Sequence, residues 1–306
     1  MTATKILIDC DPGHDDAIAL LLALASPEVE LLGVSTVAGN QTLDKTTANA
    51  IRVLDFAGRN DIEVAAGADR PLVREQHVAA NVHGETGLDG PDLPPPQRDP
   101  VSTHAVEFLA EKIRASAEPV TLVPVGPLTN VALLLALHPD ARPGRIVLMG
   151  GAIAEGNVTP AAEFNIWADP EAAARVFQSG LDVTMVGLDV THRALFTQAH
   201  MGRLAGRVGQ MVAELLRFYN TFHTRIYNFD GSPIHDALAV AHVINPELLG
   251  TLERNVEIDT ESDLCRGRTV VDLWRRTERE PNAHVGVEVD ADGFLELLVG
   301  RINSLQ

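Results

Sequence analysis

Short apolar runs alternate along the chain with longer stretches in which apolar residues recur every three or four positions. The first kind reads as buried strands and the second as amphipathic helices. KILIDC (Lys5 to Cys10) predicts a strand, followed by a helix over about Asp15 to Ala25. VELLGVSTV (Val29 to Val37) predicts the next strand, and Leu43 to Ala57 the next helix. Beyond Glu63 to Ala66 lies a long segment rich in Pro and Gly, Pro71 to Pro100, after which Ser102 is expected to cap a helix reaching about Ala115. The alternation resumes with TLVPVG (Thr121 to Gly126), a helix through LTNVALLLAL, and RIVLMGG (Arg145 to Gly151). Asp169-Pro170-Glu171 opens another helix, with a capping carboxylate, Pro at the first position and an acid in the first turn. DVTMVG (Asp182 to Gly187) reads as a strand, helices then dominate to about Ile244, and NVEID, GRTVVD and AHVGVEVD read as shorter, partly antiparallel strands.

Near-continuous apolar strands separated by helices predict an α/β fold with a mostly parallel central sheet covered on both faces, and a small antiparallel part near the C-terminus. No repeat, low-complexity tract or linker divides the chain, so residues 1–306 are expected to form one domain. In such sheets ligands bind where the strands end at their carboxyl side, and candidate chemistry belongs there.

Composition narrows the partners. A formal charge of −18, from 24 Lys+Arg against 42 Asp+Glu, argues against nucleic acid or an anionic membrane and suits a cation or a small neutral ligand beside one. Cys10 and Cys265 make neither a disulfide framework nor a zinc site, and Cys10 is expected to pack as a small hydrophobe. The most apolar stretch, Ala17 to Ala25, is too short to span a bilayer and no signal peptide is visible, which makes the cytoplasm the expected location.

The first strand runs into DCDPGHDD, which places Asp9, Asp11, Asp15 and Asp16 around one turn. Asp9 and Asp11 share a strand face, while Asp15 and Asp16 open a helix whose N-terminus favours anions. Carboxylates this crowded would force some to stay protonated, and a divalent cation removes that conflict. An all-oxygen cluster suits Ca²⁺ or Mg²⁺. Taken alone, Asp15 reads as a helix-opening acid. Other strand ends are polar too: Asn40 follows GVSTVAG, Val125 offers a backbone carbonyl, and Asn157, Glu163 and Asn165 share a loop after RIVLMGG. His235-Asp236 opens a later apolar helix, where Asp236 could complete a cation's shell and His235 could face whatever the cation holds, although an N-terminal acid alone explains Asp236 as well. His83 lies in the long Pro71–Pro100 segment, while His192 and His242 read as structural. No GxGxxG, GxxxxGK[ST] or GxSxG motif is present. A haloacid-dehalogenase-type phosphoryl-transfer enzyme also ends its first strand in DxD, but expects Thr or Val where Gly13 stands.

DCDPGHDDA, VAGNQTLDKT, VPVGPLTN, VLMGG, EFNIWADPEAA and IHDALAV, in this order, closely resemble the inosine–uridine nucleoside hydrolase family, over Lys5 to about Gly300. NVHGETGLDGP and CRGRTVVD look most like its pyrimidine-preferring bacterial branch. The resemblance implies the nucleoside hydrolase fold and Ca²⁺-dependent hydrolysis of ribonucleosides, uridine and cytidine before purines, to ribose and free base. It further implies that Asp11, Asp16, Asp236 and the carbonyl of Val125 bind the Ca²⁺, with Asp9 just outside. Val125 departs from the Thr of some relatives, but only its carbonyl is needed. Asp15, Asn40, Asn157, Glu163 and Asn165 would hold the ribose hydroxyls, Met149 would line the sugar, and His83, Tyr227 and His235 would surround the base. Asp11 is the candidate general base, and His235 the candidate acid or hydrogen-bond donor to the departing base. The family also suggests a homotetramer or dimer. A purine-accepting hydrolase, a catalytically silent nucleoside- or ribose-binding protein, and the phosphatase stay open at this level.

Overall fold

The apolar run TKILIDC forms strand β1 (Thr4–Cys10) near the middle of an eight-stranded sheet, with Ile6, Leu7 and Ile8 fully buried. The computed structural model describes residues 3–305. After β1 the chain forms α1 (His14–Leu24), β2 (Val29–Thr36), α2 (Leu43–Phe56), β3 (Val64–Ala66), α3 (Ala80–His83) and α4 (Ala105–Ala115). It continues through β4 (Thr121–Pro124), α5 (Thr129–Leu137), β5 (Arg145–Met149), α6 (Phe164–Ala168), α7 (Pro170–Phe177), β6 (Val183–Val186) and α8 (Leu188–Thr191). Then follow β7 (Leu195–Phe196), α9 (Gln198–Met201), α10 (Gly206–Tyr227), β8 (Ser232–Pro233) and α11 (His235–Ile244). The last elements are β9 (Leu249–Arg254), β10 (Val256–Ile258), β11 (Thr269–Val271), β12 (Ala283–Val289) and α12 (Ala291–Ser304).

The strand order is β3-β2-β1-β4-β5-β6-β12-β9, and every neighbouring pair is parallel except β12 with β9. Succession runs outward in one direction from β1 and in the other from β4, so the switch in order falls between these two strands. Crossover helices diverge there and leave a crevice at the carboxyl edge. Alternate residues of β1 serve opposite faces: Ile6 and Ile8 pack in the core that holds residues of α1, α2, α10, α11 and α12, and Leu7 packs in the core with residues of α4, α5 and α7. Cys10 is fully buried, as expected of a small hydrophobe.

One expectation needs correction. The cap of α4 is His104, whose ring accepts from the Val106 N–H at 3.3 Å, while Ser102 lies outside the helix. NVEID and GRTVVD contribute the antiparallel pair β10–β11, and AHVGVEVD forms β12, which pairs in parallel with β6 inside the main sheet and carries β9 antiparallel on its outer edge. The C-terminal part also holds a helix, α12, capped by Asp290 on the Gly293 N–H at 2.9 Å, with Phe294, Leu295, Leu298, Val299 and Ile302 buried at helical spacing. Among the described residues no helix is long and apolar enough to cross a membrane.

Candidate active site

The crevice at the switch point is where β1 delivers its acids. Asp11 is fully buried, and its Oδ2 accepts the Asn40 N–H at 2.6 Å. Two glycines frame it: a Cβ on Gly39 would overlap the Asp11 carboxylate and Pro127, and one on Gly126 would overlap the carboxylate from the other side. Asp16, at the start of α1, accepts the N–H groups of Gly13 (2.9 Å) and Asp11 (3.1 Å) and the side-chain amide of Asn40 (3.2 Å). Its carboxylate lies beside those of Asp11, Asp15 and Asp236, whose charges act on one another. Oxygens of Asp15, Asp16 and Asp236 come within 4.8 Å of one another.

This cluster is held at an electrostatic cost. Burial, then like charge nearby, raises Asp11 and Asp236 well above the carboxylate range and lifts Asp15 to about 8. Asp9, one layer down, is pushed up to about 7 by burial, against hydrogen bonds to its Oδ1 from Ser35 (2.5 Å) and Asn130 (2.8 Å). The Asn130 amide also donates to Thr36 O at 3.0 Å and accepts from the Ala68 N–H at 2.9 Å, so it joins the ends of β1 and β2 to the segment after β3. Asp9 Oδ2 and Asp11 Oδ1 are buried with no hydrogen-bond partner among the described residues. Buried acceptors without donors, in an all-oxygen set of carboxylates, fit a hard divalent cation.

A cavity of about 310 Å³ opens from the acids. Asp15, Asn40, Val125, Met149, Asn157, Glu163 and Asn165 border it on the sheet side. Glu163 caps α6 by accepting the N–H groups of Asn165 (2.9 Å) and Ile166 (3.3 Å), and it also accepts that of Gly151 (2.9 Å). Its carboxyl is raised by burial to about 7 against those donors. Asn165 donates to the carbonyls of Val125 (2.8 Å) and Met149 (3.2 Å), which ties the ends of β4 and β5 together, and the Val125 oxygen keeps a second lone pair. Asn157 accepts the Phe164 N–H at 2.9 Å.

The far side is aromatic and rich in imidazole. His83, Tyr219, Phe222, His223, Tyr227, His192 and His235 all border the cavity. His83 lies on α3, against Gly13, where any Cβ would overlap its ring. The His14 backbone N–H donates to His83 Nδ1 at 3.2 Å, so a neutral His83 carries its proton on Nε2. Tyr219 borders the cavity with Asp15 and stacks on His14, the residue before Asp15, which links the aromatic side to the acids.

Of the residues expected from sequence, Asp15, Asn40, His83, Val125, Met149, Asn157, Glu163, Asn165, Tyr227, His235 and Asp236 border one cavity, with Asp11 and Asp16 behind them. Asp15 both borders the cavity and stands with Asp16 and Asp236 in the close carboxylate group, in keeping with its place in the crowded turn. One detail differs. His192, read as structural, borders the cavity with its ring edge-on to His235 at 5.5 Å, because α8 packs beside α11. Tyr219 and His223 were missed although they precede Tyr227 at intervals of four on α10, a spacing that puts all three on one helix face.

A cavity with acids at one end and flat rings at the other suits a ligand that joins a polyol to a heterocycle, on an α/β scaffold that binds at its switch point. Residues 6–296 match the family described as inosine-uridine preferring nucleoside hydrolase, and the chain belongs to that family. It is a ribonucleoside N-glycosyl hydrolase. It is 54% identical over 303 residues to the pyrimidine-specific ribonucleoside hydrolase RihA of Shewanella sp. (strain ANA-3), covering 97% of this chain and 95% of that one. It is 52% identical over 306 residues to the protein of the same name from Salmonella typhi, covering 98% of each. Among solved structures, the purine-preferring ribonucleoside hydrolase from Gardnerella vaginalis superposes with a TM-score of 0.93 at 34% identity over 99% of both chains. This membership sets aside the haloacid-dehalogenase alternative.

Proposed function

We propose that this chain hydrolyses the N-glycosidic bond of pyrimidine ribonucleosides, with Ca²⁺ as its cofactor. The observation that carries the reading is a single cavity joining the buried carboxylates to the imidazole-lined side. The pyrimidine preference rests on similarity at 52–54% identity to proteins named pyrimidine-specific. Fold alone would not supply it, since a purine-preferring hydrolase superposes at a TM-score of 0.93.

Asp11, Asp16, Asp236 and the Val125 carbonyl would hold the cation, with Asp9 behind them. When bound, Ca²⁺ would supply positive charge that offsets the carboxylates, attracts hydroxyl oxygens and acidifies water. The remaining steps belong to side chains. Asp15, Asn40, Asn157, Glu163 and Asn165 hold the ribose hydroxyls, and Met149 covers the sugar's apolar side. Asp11 takes the proton of the attacking water as its oxygen adds to C1′. The carboxylates favour the positive charge that grows on the sugar as the C1′–N bond breaks. His83 and Tyr227 flank the base, and His235 assists it as it leaves.

The test is release of reducing sugar from uridine, cytidine and inosine at matched concentrations. The expected result is a kcat/KM for both pyrimidine nucleosides at least about tenfold above that for inosine, about 1.4 kcal/mol of discrimination. Inosine equalling or exceeding uridine would remove the base preference, and release from none of the three would remove the function.

Gly39→Ala probes the frame around Asp11. The added methyl must push the carboxylate aside, and kcat on uridine is expected to fall about a hundredfold with the far-UV circular dichroism unchanged. Normal turnover in a folded variant would show that Asp11's position is not critical.

A further inference from the structure

His235 is the first residue of α11 and is buried, with Nδ1 2.7 Å from Thr191 Oγ1 at the end of α8. Thr191 is fully buried. A threonine hydroxyl has one hydrogen to give, and among the described residues His235 Nδ1 is the only hydrogen-bond partner of Oγ1. Were the imidazole proton on Nδ1, Thr191 could only accept, and its own buried hydrogen would have no acceptor, a cost of about 1–3 kcal/mol. The reverse direction satisfies both groups. The hydroxyl donates, Nδ1 accepts, and the ring proton lies on Nε2. That nitrogen makes no hydrogen bond with the described residues, and the ring that bears it borders the cavity.

We propose that Thr191 is a positioning residue: its buried hydroxyl donates to His235 Nδ1 and so presents His235 Nε2–H as a hydrogen-bond donor to a carbonyl oxygen of the leaving base. The inference rests on the proposed nucleoside substrate. When the C1′–N1 bond of a pyrimidine nucleoside breaks, its electron pair passes to N1 and is delocalised onto the ring oxygens. A fixed N–H donor gains strength as that charge develops, which is the differential binding that lowers a barrier. His235 keeps its proton in this step, and the base takes one from water after departure. Since Oγ1 is the acting atom, serine should substitute for Thr191 and valine, which matches its shape, should not.

The experiment uses Ca²⁺-supplemented protein carrying ring-¹⁵N histidine, as wild type, Thr191→Val and Thr191→Ser, with His235→Gln to assign the resonance. The wild-type spectrum is expected to show His235 protonated on Nε2, with Nδ1 a hydrogen-bonded acceptor. A proton on Nδ1 overturns the proposal. In kinetics, Thr191→Val is expected to lose at least about tenfold in kcat on uridine with KM changed less than about threefold. It should stay within about threefold of wild type on p-nitrophenyl riboside, whose leaving group needs little assistance. Thr191→Ser should restore uridine turnover to within about threefold of wild type. Equal losses on both substrates, no loss on uridine, or no rescue by serine would each count against Thr191 acting through His235. A wild type that cleaves no nucleoside overturns the substrate reading and the catalytic half of this proposal, while the nitrogen spectrum still decides the hydrogen bond.

Discussion

Stripping divalent cations from the protein with a chelator is expected to abolish ribose release from uridine, and adding Ca²⁺ back to restore it. Without a cation, protons must neutralise the crowded acids: Asp15 is lifted to about 8, and Asp11 and Asp236 are raised well above the carboxylate range. A protonated Asp11 cannot accept a proton from water, so the chelated site loses its base along with its electrophile. The same competition sets the pH dependence. Cation binding must displace protons held by raised carboxyls, so affinity should weaken as pH falls below about 8. Saturation at a hundred times Kd should stabilise the fold by about 2.7 kcal/mol, read as a higher Tm. Full turnover after exhaustive chelation, with metal content verified, would exclude the cation from the reaction.

Asp11→Asn is expected to reduce kcat on uridine by about a thousandfold or more, within the range a positioned general base contributes. The substitution preserves shape between Gly39 and Gly126 and leaves an oxygen able to accept the Asn40 N–H. It puts a permanently neutral group where burial forces the metal-free protein to hold Asp11 protonated above its ordinary range, so the metal-free variant should melt no lower than wild type. A large kinetic loss together with an unchanged or raised Tm separates a chemical role from a structural one. Turnover near that of wild type would assign the base elsewhere.

Much of this was legible in the sequence because it depends on local rules. Apolar runs located the strands of the parallel sheet, and Asp169-Pro170-Glu171 marked the start of α7, where Asp169 accepts the Ala172 N–H at 3.0 Å. The acids of DCDPGHDD were legible because like charges in one turn demand an explanation. What escaped depends on packing between distant segments. The contact of Asn130 with Asp9 spans 121 residues, and the place of His192 depends on α8 lying beside α11. Gly39 and Gly126 carry no pattern until the Asp11 side chain is seen between them. Strand β9 is half-exposed on a sheet edge, so its residues lack the continuous apolar character of the inner strands. The helix α12 had a readable periodicity and a capping Asp290, and was passed over because strand-like segments surround it.

The acids of the pocket come from distant parts of the polypeptide: Asp11 and Asp16 precede α1 or open it, while Asp236 arrives on α11, which packs against α1. An ion held by all three therefore has no complete binding place on a nascent or partly folded chain. Its capture would then be a late event that seals an already closed architecture and does not seed it, and occupancy of the pocket would report that α1 and α11 have come together.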